Sequence, residues 1–453
     1  MKIKLPIILS LSLVINAYAG SATWNRHPEN DDWNDPLNWT PNTVPNGPFD
    51  IATFSGPTDT PDIKISDSSD ILLDSLIIDS SVPNETIIEI PGNSNLTLDG
   101  KGVLDSSLGG FGGFLFPNAG GSITFTKRAA CKINVTPADG RVDFFDQSSF
   151  LGSINNNPPG GVVAFFDHAR AGYDGHGAGI ILNGGAVFFN DDSSARGLFL
   201  TLAGVNGDAV LDLSGHNRPG LRLLNLTGTG FVFLGANNLT LVSGSSSAVI
   251  QDGGESGGVG GSLTKVFSDN DLTLSGASTY TGGTNVNDGK LVVDNQSGSG
   301  TGTGVVRVNR GSLGGGGIIA GPVTLGTGRG VAILAPAHGL AEPLTLTILH
   351  QVTFNVDGNY FWTFRKEREV QRSDEVIAEG VTINGAMFSA TGRDDGPLII
   401  GTVFTAISNT SADPIRGTFT NLPDGTIITV NGNNLQASYT GGDGNDLTFT
   451  VVP

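Results

Sequence analysis

Hydrophobic positions alternate with polar ones in short runs along nearly the whole chain, and most runs end at Gly, Asn, Asp or Ser. The stretch "LTLSGASTYTGGTNVNDGKLVV" (272–293) shows the pattern most clearly. Leu272 and Leu274 alternate inward, Ser275-Gly276 turns, Thr284 and Val286 alternate again, Asp288-Gly289 turns, and Leu291 and Val293 follow. A period of two bounded by such residues predicts half-buried β-strands, and the segment reads as three strands joined by Gly-rich corners into one coil.

The alternation itself recurs at a longer period. "SITFTKRAA" (122–130), "VDFFDQSSF" (142–150), "VAFFDHARAG" (163–172) and "AVFFNDDSSARG" (186–197) align on Phe125, Phe145, Phe166 and Phe189, and "AVLDLSG" (209–215) and "GFVFLG" (230–235) continue the series. A step of about 22 residues is the length of one turn of a β-solenoid. Like residues then stack at the interstrand spacing of about 4.8 Å, Phe over Phe. The next position makes a second column of Asp146, Asp167 and Asn190. In each Phe-Phe pair the rings point to opposite faces of a strand, so only one column can be interior unless the pair straddles a corner. A β-sandwich also produces short, closely spaced strands. Its strands need not resemble one another at a constant period, and the repetition favours the solenoid.

Composition agrees. The 453 residues include 67 Gly, only 15% charged residues, two Met and one Cys, which leaves many turns and few strong helix formers. The expected fold is all-β, an elongated parallel β-helix with β caps at both ends. A solenoid needs only a thin axial core, so a hydrophobic fraction of 38% suffices. A formal charge of −19 excludes nucleic acid and anionic lipid as expected partners, since both select basic surfaces. "MKIKLPIILSLSLVINAYAG" has Lys2 and Lys4, an apolar run from Leu5 to Ile15, and Ala17-Tyr18-Ala19. That is the pattern of a secretory signal peptide over 1–19. No later segment has the roughly 18 apolar residues a membrane-spanning helix requires. Cys131, alone in an exported chain, has no intramolecular disulfide partner and reads as a small buried apolar residue.

The stretch from Leu272 to Val293 resembles the autotransporter-associated β-strand repeat, and "SGSGTGTGVVRVNRGSLGGGGIIAGPVTL" (297–325) resembles its usual continuation. "ATWNRHPENDDWNDPLNWTPNTVPNGPFDIATF" (22–54) and "GTFTNLPDGTIITVNGNNLQASYTGGDGNDLTFTVVP" (417–453) are similar to the flanks of secreted bacterial proteins that carry the repeat. The resemblance implies a right-handed passenger-like β-helix that is exported and then displayed or released, with no known catalytic residues. Together with the signal-peptide pattern and the period near 22 residues, it gives an expected order of signal peptide (1–19), N-terminal cap region (20–120), β-helix with repeats of about 22 residues (121–260), family-like repeat region (261–340) and C-terminal β region (341–453). Autotransporters end in a translocator barrel built from many alternating strands. The segment after residue 340 is too short and too interrupted for one, so the chain reads as a passenger without its pore.

Candidate chemistry is sparse. "GESGG" (254–258) fits the G-x-S-x-G pattern at Ser256, but Gly-rich turns flank it where a strand and a helix are required. The densest polar cluster is "FFDHARAGYDGHGAG" (165–179), with Asp167, His168, Arg170, Tyr173, Asp174 and His176, and Asp191 and Asp192 follow one coil later. Paired carboxylates on an exposed sheet are what glycoside cleavage uses; the plainer expectation is an exterior polar column beside a Phe ladder. "GGDGNDLTF" (441–449) resembles a calcium-binding nonapeptide with Asp443 and Asp446 as ligands. It occurs once, and Thr448 stands where an apolar residue belongs, so a turn is expected. The six His residues have no zinc spacing. Trp24, Trp33 and Trp39 read as a cap over the open coil, with a sugar-stacking platform as the alternative. "FWTFRKEREVQRSDEV" (361–376) reads as a solvent-facing strand and loop. The sequence therefore predicts a non-enzymatic surface or secreted scaffold in adhesion or matrix contact, with no catalytic residue, metal or cofactor and with a surface partner or glycan. The alternative is a polysaccharide-binding or polysaccharide-cleaving β-helix.

Overall fold

A computed structural model describes residues 20–453 except 57, 61, 80–85, 106–112, 119, 157–159, 174, 205–207, 218–219, 268, 338–341 and 395; the expected signal peptide lies outside the described residues. The chain winds as a three-sided coil in which each side is a parallel sheet. Sheet one is built from strands such as Ser122–Phe125, Arg141–Phe144, Val162–Phe165 and Gly185–Phe189. A corner leads to sheet three, represented in the same coils by Ala130–Cys131, Ser149–Phe150 and Arg170–Ala171. A second corner leads to sheet two, with Asn134–Val135, Ser153–Asn156, Ala178–Leu182 and Leu198–Ala203. Short strands broken by corners cannot close a globular core. They bury one face each by stacking on the coils above and below.

The register settles which rings are interior. Phe125, Phe144, Phe165 and Phe189 occupy one column, all fully buried. Their rings lie 4.7 to 4.8 Å apart and within 7° of parallel. This shifts the sequence alignment by one residue in two coils, because Phe145 and Phe166 form a separate stack facing outward, 4.7 Å apart. The polar column shifts with it: Lys127, Asp146, Asp167 and Asp191 share the corner position, all with φ between 51° and 57°, and Asn190 stands one place earlier. Steps from coil to coil are 19, 21 and 24 residues, so the strands keep register while the corners absorb length.

The stretch 272–293 is also assembled differently from the three-strand coil expected. Asp271–Leu274 lies on sheet two, Thr284–Val286 on sheet three, and Lys290–Val293 returns to sheet two directly upon the first, with Leu272 opposite Leu291 and Leu274 opposite Val293. It spans one turn and begins the next. The six alternating residues are all buried, at 2% exposure or less. On sheet three the interior column reads Leu241, Lys265, Val286, Val308, Leu325, Phe354 and Ile383.

Both ends are closed. At the N-terminal end Trp24, Trp33 and Trp39 are buried with Phe54, the rings meeting at 4.8 to 6.2 Å. The Trp39 indole N–H donates to the Trp33 carbonyl at 2.8 Å. At the other end the parallel order stops. Val403–Asn409, Asp446–Val452, Asn433–Gly441 and Ile427–Val430 pair antiparallel as a meander over the last coils. Trp362, Tyr360, Phe388 and Phe449 fill the core beneath it. The 361–376 run is thus only partly solvent-facing. Trp362 and Phe364 are core residues, and the exposed portion is a hairpin of Gly358–Glu367 with Val370–Ser373. No helix among the described residues is long and apolar enough to cross a membrane.

Candidate functional site

The cluster 165–179 lies at the corner between sheets one and three. Its acidic residues are occupied in holding that corner. The Asp146 carboxylate accepts the Lys127 backbone N–H at 2.9 Å, Asp167 accepts that of Asp146 at 3.2 Å, and Asp191 accepts that of Asp167 at 3.1 Å. A left-handed corner tolerates Asp because its short side chain can bond the local backbone. Each carboxylate braces the coil before its own. His168 and Asp192 are 3.8 Å apart at Nε2 and Oδ2 with both side chains mostly exposed, a pair of small energetic weight. Tyr173 and His176 exchange two backbone hydrogen bonds across a tight turn, with ring centroids 4.4 Å apart. Asp174 lies outside the described residues. Among the described residues the structure distributes the cluster along a stack of corners, with the exposed His168–Asp192 pair as its one close acid–base contact.

The other candidates resolve similarly. Ser256 sits in a turn folded back over an earlier coil. There Asp212 accepts the Ser214 and Glu255 N–H groups at 2.7 Å each, and the Ser214 hydroxyl accepts the Ser256 N–H at 2.9 Å. No helix follows, and the serine has no strand-to-helix elbow. Asp443 and Asp446 flank the hairpin turn of the final antiparallel pair; the Asp446 carboxylate accepts the Asn409 N–H at 2.8 Å. Among the described residues no group of three or more His, Cys, Asp or Glu side chains is arranged to hold a metal ion. The Trp cluster is buried, so no ring face is open for a sugar. Cys131 is fully buried, and burial pushes its thiol up to about 12.

Two ionisable side chains that are fully buried among the described residues, Lys265 and Asp374, escaped the sequence reading. Lys265 occupies the interior column of sheet three, and its ammonium donates to the Val266 and Phe267 carbonyls at 2.8 Å. Burial lowers its pKa, opposed by the charges of Asp288 and Asp271. Space for the ammonium comes from Gly289, where a Cβ would stand 2.6 Å from Nζ. The alternation in "SLTKVF" already places Lys265 on the same side as Leu263, which was the available signal. Asp374 is fully buried and accepts the Leu344 and Thr363 N–H groups at 2.9 and 3.0 Å. Burial pushes its pKa up to about 6 against these hydrogen bonds. Both are enclosed by the coil and act on stability.

Open concavities remain on the outside. One groove of about 480 Å³ lies where sheet three meets the corner at 192–196, lined by Arg196, His216, Arg222, Asn238 and Thr240 among others. A second, of about 420 Å³, lies against the exposed hairpin. Its charges are mixed, and Arg365 is engaged by Glu342 and by Glu367.

These features define an all-β parallel solenoid, closed at both ends, whose candidate acids serve as structural braces. Residues 269–293 match the family of the passenger-associated transport repeat, so the stretch from Leu272 to Val293 is similar to a passenger-type repeat and lies within the parallel β-helix. Among solved structures the Hap adhesin of Haemophilus influenzae is similar at 10% identity, over 89% of this chain and 63% of that one, with a TM-score of 0.19. At that score the two do not superpose as whole chains, and the fold rests on this chain's own strand register. No curated protein matches the sequence.

Proposed function

We propose that this protein is an exported, non-enzymatic β-helix, with residues 1–19 directing export, that stands at the cell surface or is released and acts as a passenger-like scaffold in adhesion or matrix contact. The observation that carries this is the passenger-associated repeat at 269–293, continuous in register with the coils before and after it. In this reading the 261–340 region propagates the coil, the terminal regions close it, and the outward faces of the sheets meet the partner. The corner acids support the non-enzymatic part, because Asp146, Asp167 and Asp191 each hold a backbone N–H of a neighbouring coil. Fractionation of the producing cells, with protease shaving of intact cells, tests the proposal. Protection from external protease together with recovery in the periplasm would remove adhesion and leave only the fold.

A further inference from the structure

The outward face of sheet three differs in charge from the rest of this acidic chain. Starting at the 480 Å³ groove, the residues facing out in register are Arg222, Thr240, Thr264, Asn285, Arg307 and Thr324. Thr353 and Thr382 extend the same column. On the preceding coils Ser149, Arg170 and Ser194 are in register with one another on the same sheet. None of these residues is a carboxylate, in a chain that carries 43 Asp and Glu against 24 Lys and Arg. Of the acids beside the column, Asp288 pairs with Arg310 and Asp271 with Lys290 at 3.3 Å, while Asp192 lines the groove and faces His168 at 3.8 Å. Arg196, at the mouth of the groove, and Arg307, on the column, are both exposed and make no ion pair among the described residues. The Arg222 guanidinium lies 5.1 Å above the Phe267 ring, which fixes its plane at the groove floor.

From Arg222 to Thr382 the column climbs seven coil steps, about 34 Å at the interstrand spacing. A row of hydroxyl and amide groups in continuous parallel register, punctuated by guanidinium groups, is complementary to an extended polymer that presents hydroxyls and, at intervals, a carboxylate or sulfate. Threonine and asparagine exchange hydrogen bonds with sugar hydroxyls, and a guanidinium takes a carboxylate or sulfate in a two-pronged contact. We propose that the outer track of sheet three, from the Arg196–Arg222 groove to Thr382, binds an acidic polysaccharide laid along the helix axis. Nucleic acid fits less well. The net charge of −19 repels a polymer with a charge on every residue, and the one ring beside the column, Phe267, lies under Arg222 where single-strand binding uses a series of open stacking platforms. The inference rests on the export reading only for where such a polymer is met, because binding by the purified protein succeeds or fails regardless of where the cell delivers it.

The test is calorimetric titration of the purified mature protein with four polymers of similar length: oligogalacturonate, heparin fragments, dextran and single-stranded DNA. The expected result is binding of one or both acidic glycans, none of dextran, and loss of binding in roughly 0.5 M salt. Uronate or sulfate preference identifies which anionic group the track takes. The double variant R196E/R307E changes two exposed side chains, so its circular dichroism and thermal midpoint should be unchanged while affinity falls at least about tenfold. R222Q provides an independent variant at the groove floor and should weaken binding in the same direction. The proposal is overturned if neither acidic glycan binds, if dextran or DNA binds as tightly, or if R196E/R307E binds like the unaltered protein.

Discussion

Truncating Phe165 to Ala tests the register on which the fold depends. Phe165 is fully buried and stacked between Phe144, 4.7 Å away, and Phe189, 4.8 Å away. Removing a buried Phe ring costs about 3 to 5 kcal/mol through lost transfer energy and the cavity left behind. The two parallel contacts place this site toward the upper part of that range, since stacked pairs contribute beyond their buried area. Its sequence neighbour Phe166 faces outward, is half-buried and has one ring partner, Phe145, so Phe166→Ala should cost only about 1 to 2 kcal/mol. In a solenoid the damage spreads mainly to adjacent coils, and a long repeat array need not unfold in one step. Hydrogen exchange resolved by peptide is therefore the suitable assay, with urea unfolding as a companion. Phe165→Ala should speed exchange across the coils holding Phe144 and Phe189 and leave those beyond about residue 330 unchanged. If Phe166→Ala proves as damaging as Phe165→Ala, the interior column is the other one and the register described here is wrong.

Asp374 gives a pH signature. Its ordinary value is 3.8 and burial raises it to about 6 in the folded chain, so its stabilising contribution is complete below about pH 4 and is lost as pH rises through about 6. The full loss is up to about 3 kcal/mol. Asp374→Asn should flatten that part of the thermal midpoint against pH, and an unchanged curve would count against the burial argument. Gly289 has φ +76°, and a Cβ there would stand 2.1 Å from the Phe267 carbonyl oxygen. Gly289→Ala should therefore destabilise by more than the roughly 1 kcal/mol of a simple backbone effect, read as a lower urea midpoint; no change would mean the corner can relax. Asp167→Ala removes the acceptor for the Asp146 N–H and should cost about 1 kcal/mol. The unaltered protein and the double variant Asp167→Ala, His168→Ala should both leave uronate and neutral glycans chemically unaltered; sugar release by the unaltered protein that the double variant loses would restore a catalytic reading of this corner.

How much was legible in the sequence follows from which residues repeat. The strand alternation, the period near 22 residues and the Gly-rich corners all come from local rules, and each survived. The one-residue slip at Phe145 and Phe166 arose because two adjacent Phe are equally apolar on paper; pairing with Phe125 and Phe189 across coils chose between them. The bracing role of the candidate acids could not be read from the sequence for a related reason. Their carboxylates bond backbone N–H groups 19 to 24 residues away, partners set by coil length. The exposed half of 361–376 could be read from its charges, whereas burial of Trp362 under Phe449 required the antiparallel closure of the C-terminal strands.

The sequence alone determined that the chain is β throughout, that it repeats, and that its conspicuous stretch is built to stack, because alternation and turn chemistry act over a few residues and leave their mark in the local order of residue types. Tertiary structure decided which ring column is core, that 272–293 closes onto the next coil, which charges are buried, and that Arg222, Asn285 and Arg307 fall into one line with threonines from five other coils. Those facts depend on how many residues each coil takes, from 19 to 24 in the aromatic coils, with the corners absorbing the difference. Residues far apart in sequence become neighbours at about 4.8 Å only when the corners bring the strands back into register.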